Sequence, residues 1–110
     1  MGNQYSKTGD DLLAIFEALS NPHRLNIISI LSIERQYVSQ LARDAEMSRP
    51  LLYMHLKRLE QAGLVKSEME ISEDGKAMKY YELLPFDIHI NQEMITDAVK
   101  TLTMKKKEGK

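Results

Sequence analysis

The chain contains no cysteine among its 110 residues. That excludes a disulfide framework, a thiolate metal site and a cysteine nucleophile. No apolar run approaches the roughly 18 residues that a membrane span needs, and the N-terminus has no signal-peptide core. Serine, histidine and aspartate show no catalytic arrangement, and neither a paired-carboxylate motif nor a phosphate-cradling glycine loop occurs. Three histidines scattered over the chain make no site. An enzyme is therefore not expected. Excess charge of one sign is missing too: the net charge is −1 and the pI about 6.3. Any nucleic-acid binding must rest on local charge. With 43% hydrophobic residues, the chain can still bury one modest core. The expectation is a single soluble, cytoplasmic domain with no membrane partner. "MGNQYS" fits an N-myristoylation pattern but is set aside, because that pattern matches often by chance.

What is present is periodicity. Residues 1–9 are polar and without period, so a flexible N-terminal tail is expected. Leu12, Ile15, Phe16 and Leu19 recur at helical spacing from Asp10 onward. "SNPHRL" then offers Ser20 or Asn21 as a cap and Pro22 at the first helical position, predicting a second helix to about Ile33. "RQYVS" reads as a link able to pair as one short strand. A brief helix from about Gln40 to Glu46 follows, started by Ser39, with Met47 in the turn. Ser48 caps a helix over about 49–62, where Pro50 is tolerated because first-turn amides have no intrahelical partner. Gly63 ends it. The period then changes from 3.6 to 2 over a wing at about 64–84, whose turn signal is Asp74-Gly75. Beyond Pro85, apolar residues predict a last helix over about 86–104, before a basic tail at 105–110.

This order is mainly α with one small β-hairpin: a winged helix-turn-helix over 10–104. In the helix over 49–62, Leu52, Leu56 and Leu59 form one buried stripe. The other face carries Ser48, Arg49, Pro50, Tyr53, Met54, Lys57 and Arg58. Arg49 suits bidentate contact to guanine, while Ser48, Tyr53, Lys57 and Arg58 suit phosphate oxygens or base edges. Lys57 and Arg58 taken alone would more often be a solvated face.

"LSNPHRLNIISIL", "VSQLARDAEMSRPLLYMHLKRLEQAGLV" and a hairpin ending "KYYEL" resemble the ArsR-type winged-helix transcriptional regulators over roughly Leu12 to Leu84. The resemblance implies a homodimeric repressor of operator DNA, with the 49–62 helix in the major groove and the hairpin on flanking DNA. It also implies a dimer interface from the first and last helices. The residues for that interface are Leu12, Ile15, Phe16, Leu19, Ile88, Ile95, Ala98, Val99 and Leu102. Two positions depart from the family pattern. Tyr53 stands where a small hydroxyl residue is common, and Met54 where a polar one is; Met54 either meets a thymine methyl or packs.

From Glu68 to Glu82 the hairpin holds Glu68, Glu70, Glu73, Asp74 and Glu82 against Lys76 and Lys79, a net charge of −3. Such a wing repels phosphates unless Lys76 and Lys79 alone face the duplex, so binding weaker and more salt-sensitive than in relatives is expected. The competing reading is a winged-helix protein-interaction module whose contact surface is that acidic wing. Relatives sense metals through cysteines, absent here, or through a site on the last helix opening with Asp-x-His. Asp87 and His89 match that opening, but Lys100 and Thr103 stand where further ligands belong. They are weak candidates only, and neither metal nor cofactor is expected. His23 and His55 are read as structural or backbone-contacting residues. The effector is left unassigned.

Overall fold

A computed structural model describes residues 7–104 of the chain. The expected tail at 105–110 and most of the one at 1–9 lie outside these residues. Thr8 and Gly9 do not. Thr8 closes a capping box: its Oγ1 accepts from Asp11 N and its own N–H donates to Asp11 Oδ2. Helix α1 (Gly9–Leu19) starts there, and Gly9 is buried rather than part of a fraying end.

Asn21 Oδ1 accepts from His23 N and Arg24 N, and Pro22 opens α2 (Pro22–Leu31). This helix stops short of the expected Ile33, which is 82% exposed beyond the Ser32 cap. A two-residue strand β1 (Gln36–Tyr37) leads directly into α3 (Val38–Ala45). Ser39 therefore lies inside α3 and does not start it. Glu46 does not extend that helix either: it takes a left-handed conformation, φ 55°. Met47 N–H reaches Ala42 O and Glu46 N–H reaches Arg43 O, a two-bond closure usually built on glycine.

Ser48 caps α4 (Arg49–Gln61), its Oγ accepting from Leu51 N. Gly63, φ 77°, closes this helix as Leu64 N–H bonds Leu59 O and Gly63 N–H bonds Glu60 O. Strands β2 (Val65–Ile71) and β3 (Ala77–Leu83) form the wing, turning at Gly75, φ 85°. The sheet order is β1-β3-β2, antiparallel throughout, with Tyr37 opposite Tyr80 and Glu68 also opposite Tyr80.

The core joins α1 to α4 and the root of the wing. Ile15, Ile27, Leu41, Leu52, Leu56, Leu59, Leu64 and Tyr81 are each 1% exposed or less. Each buried leucine or isoleucine contributes roughly 1.5–3 kcal/mol relative to exposure.

The last helix differs most from expectation. α5 spans only Gln92–Val99, capped by Asn91 Oδ1 on Met94 N at 2.8 Å. Residues 86–91 run without regular structure, because Ile88 packs against the core and Asn91 is a better cap than any residue before it. α5 docks against α1 of the same chain. Gly9 N–H donates to Thr101 Oγ1 at 2.7 Å, and Thr103 N–H donates to Asp10 Oδ1 at 2.8 Å. That bond holds the Asp10 carboxyl below its ordinary range. Among the described residues, no helix is long and apolar enough to cross a membrane.

Candidate nucleic-acid interface

α3 and α4, joined by the Glu46–Ser48 turn, form the helix-turn-helix. α4 sinks Leu52, Leu56 and Leu59 into the core, so every polar residue assigned to recognition lies on its outer side. Arg49, Tyr53 and Lys57 form one row at i, i+4 spacing, and Pro50, Met54 and Arg58 the next. All six are exposed, Met54 at 65%, so Met54 is not packed into the core. Ser48 is exposed as well, but its hydroxyl oxygen is engaged at the cap.

The wing continues this surface. Lys79 Nζ lies 5.9 Å from the Tyr53 ring centroid and 5.6 Å from that of Tyr81. A hydrogen bond with the Tyr81 side chain raises the Lys79 pKa, so this amine holds its charge more firmly than a free lysine. Burial raises the Tyr81 phenol, against the pull of Lys79. Lys76 is exposed at the end of the turn, roughly 10 Å of strand away from Lys79.

The acids on the hairpin's strands do not share that face. Side chains alternate along a strand, and directly paired residues point the same way. Glu68, Glu70 and Glu82 therefore stand on the side of Tyr80 and Met78, opposite to Lys79 and Tyr81. Arg35, from the loop before β1, grips Glu70 through two bonds of 2.7 and 3.2 Å and lies 4.1 Å from the Tyr80 ring centroid. It also approaches Glu68 at 3.8 Å, while Lys66 sits 3.9 Å from both Glu68 and Glu82. With Arg35 and Lys66 added to residues 68–82, the charge there falls from −3 to −1. Arg35 lies 33 residues before Glu68, so only the β1–β3 pairing brings it to the wing.

His55, on the inner side of α4, is 8% exposed, with its Nδ1 3.2 Å from Arg24 Nη1 and its ring 5.8 Å from that of His23. Burial, then the Arg24 charge, lowers its pKa. The same arginine donates to Ala18 O through Nε at 2.7 Å and to Glu17 O through Nη2 at 3.2 Å, closing the end of α1. The Asn21–Arg24 segment is thus a structural joint.

Ile15 is buried within the single chain at 1% exposure, which corrects its placement at a dimer interface. Its i, i+3 partner Ala18 is buried with it, on the inner face of α1. Leu19 and Ile88 also pack against the core, and Leu12, Phe16, Ala98 and Leu102 are half-buried. Exposed apolar side chains remain at Ile95 (48%), Val99 (51%) and Leu13 (44%). Asp87 and His89 approach each other at 3.5 Å, both exposed, and no group of three potential metal ligands exists among the described residues.

The profile of the bacterial regulatory proteins of the arsR family matches residues 21–67, from the α2 cap to the start of the wing. An uncharacterized HTH-type transcriptional regulator of Methanocaldococcus jannaschii is 39% identical over 85 residues, covering 77% of this chain and 88% of that protein. The chain belongs to the ArsR family. It is a transcriptional regulator with a DNA-binding winged helix-turn-helix, not an enzyme. A homodimeric winged helix-turn-helix DNA-binding domain from Mycobacterium bovis, a possible ArsR-family regulator, aligns with TM-score 0.61 and 26% identity over 67% of this ArsR-family chain. The alignment spans 64% of that domain's chain, slightly under two thirds. HlyU from Vibrio cholerae shares the fold at TM-score 0.58 and 23% identity, over 82% of this chain and 86% of that one.

Proposed function

We propose that this ArsR-family chain is a cytoplasmic homodimeric repressor that reads a pseudo-palindromic operator through the major groove. The observation that carries this reading is the continuous outer surface of Arg49, Tyr53 and Lys57 on α4, extended by Lys79 of the wing. Arg49 at the N-terminal end meets a guanine edge; Tyr53, Lys57, Arg58 and Lys79 meet phosphates or base edges. Met54, solvent-facing, suits a thymine methyl. Lys76 at the wing tip reaches flanking backbone. The exposed apolar residues of α1 and α5, Leu13, Ile95 and Val99, support pairing of two copies through that side. The Mycobacterium bovis domain described as homodimeric supports the same assembly.

A protein-interaction role for the wing loses its main argument, since Arg35 and Lys66 already engage Glu68, Glu70 and Glu82. Fluorescence anisotropy against the DNA upstream of the chain's own gene, at several salt concentrations and with unrelated DNA as control, tests the proposal. Selective binding that weakens steeply with salt is expected, and the Arg49→Ala, Tyr53→Ala double variant should lose it while remaining a dimer. Equal affinity for both DNAs, or binding unchanged by the double variant, would sink the proposal.

A further inference from the structure

Outward from Tyr80 the wing is a two-stranded ribbon, since β1 pairs only with Tyr80 and Tyr81. Its two faces differ in chemistry. Glu68 and Glu70 alternate with Met69 and Ile71 along β2, so the carboxylates take one face and the apolar side chains the other. Met69 pairs with Lys79 and Ile71 with Ala77, which puts all four on the side where Lys79 meets Tyr53 of α4. Met69 is 64% exposed and Ile71 70%, and Ala77 is exposed beside them. Single exposed apolar residues are ordinary, but these three adjoin, and no part of the described chain covers them.

Their neighbours say what does. Lys79 joins this strip to the outer row of α4, and Lys76 stands at its far end, so a cation lies on either side of it. The strand carboxylates that would repel a polyanion are turned to the opposite face, where Arg35 and Lys66 engage them. Glu73 and Asp74 remain at the tip, Asp74 bonded to the Ser72 hydroxyl of its own turn. They oppose contact through the tip and leave the side of the ribbon to meet DNA. Ile71 lies roughly 7 Å beyond Lys79 along the hairpin, the rise of two strand residues. With α4 in the major groove and Lys79 at its edge, that step outward passes the phosphate row and reaches the adjacent minor groove.

We propose that Ile71, backed by Met69, is an apolar wedge that enters the minor groove flanking each half-site and partly unstacks one base step. An apolar side chain reads no hydrogen-bond pattern there. The specificity it adds is for a step that opens easily, a pyrimidine–purine step such as TA, over a stiff A-tract. Ile71 suits the role because a β-branched side chain has little rotamer freedom to lose on insertion. This inference rests on the DNA-binding reading above and adds to it what the wing reads.

The test uses duplexes with identical half-sites, taken from the DNA upstream of the chain's own gene, and a TA step or an A-tract walked along the flanks. Anisotropy should show one position in each flank where TA binds about fivefold tighter than the A-tract. 2-Aminopurine placed at that step should brighten as the base unstacks. The Met69→Ala, Ile71→Ala double variant should lose both the preference and the brightening, yet still distinguish operator from unrelated DNA. Both side chains are exposed, so the variant keeps its core. Arg49→Ala should do the reverse, weakening half-site discrimination and keeping the flank preference. Equal affinity for every flank, with half-site selectivity intact, would overturn the wedge and leave the repressor reading standing. So would a flank preference that survives the double variant. A strip that instead joins two copies would change the oligomeric state of the double variant in light scattering, and that result would reject DNA as its occupant. Absence of selective binding by the unaltered chain would remove the repressor reading itself, and the wedge with it.

Discussion

Arg24 Nη1 lies 3.2 Å from His55 Nδ1, and this pair joins the end of α1 to the inner side of the recognition helix α4. A guanidinium only donates, so this bond needs an unprotonated His55 Nδ1 as its acceptor. Protonation would remove that acceptor and set two positive charges together in a buried joint.

Stability should therefore fall in mild acid. The folded His55 pKa lies below the ordinary value of 6.5, so the unfolded chain takes up the proton first as the pH drops. The contribution of neutral His55 is fully present above 6.5 and is lost as the pH falls from there through the folded pKa. Urea unfolding from about pH 8 to about pH 5 should show the loss, and His55→Leu should flatten that part of the curve. An equal slope in the variant would assign the effect to other groups.

Gly9 sits where a Cβ would meet the Ala98 carbonyl oxygen at 2.0 Å. Gly9→Ala must push α5 away from α1, at a cost of about 1–3 kcal/mol. Thermal unfolding should show a lowered Tm, and light scattering should show weakened dimerisation. An unchanged Tm would mean that α5 contributes little to the fold.

Glu46 is the one non-glycine residue with positive φ among those described. Glu46→Gly removes the clash of its Cβ in the left-handed region and should stabilise the protein by about 0.5–1 kcal/mol. Denaturant midpoints would measure it. Destabilisation would show that the Glu46 side chain makes a contact more valuable than the strain it causes.

On the DNA side, Lys57→Ala should lower affinity equally for all sequences and reduce the salt slope by about 1. Arg49→Ala should instead relax preference at one base position, by about 1–3 kcal/mol. Anisotropy titrations across salt and across operator variants separate the two. A uniform loss in Arg49→Ala would reassign that residue to the backbone.

Arg35→Ala should release Glu68 and Glu70, returning negative charge to the wing. Affinity for DNA should fall by about threefold or less, and more at low salt than at high salt. A salt-independent loss would instead point to a collapse of the β1–β3 pairing.

Much of this architecture was legible in local chemistry. Asn21-Pro22 and Ser48 mark helix starts because only certain side chains satisfy free amides, and Gly63 marks an end because a left-handed residue is needed there. Leu52, Leu56 and Leu59 declare which side of α4 is buried, and hence which side carries Arg49, Tyr53 and Lys57. Asp74-Gly75 marks the wing turn for the same backbone reason. The helix beyond Pro85 was less legible: its apolar residues fit a long helix, but Ile88 is drawn to the core and Asn91 starts a shorter one.

Local chemistry was enough for the element order, for the helix ends at Asn21, Ser48 and Gly63 and for the buried stripe of α4, since these depend on neighbours within a turn or two of the chain. Only the tertiary structure decided which charges meet. Arg35 reaches Glu70 across the sheet, Lys79 comes beside Tyr53, Arg24 meets His55, and Gly9 admits the Ala98 backbone. Each joins residues from separate elements, 26 to 89 positions apart by their numbers. A net charge summed along the chain could not place the wing's carboxylates on the side away from Lys79. Strand alternation and register fixed that, because they set the direction of every side chain once the strands are paired.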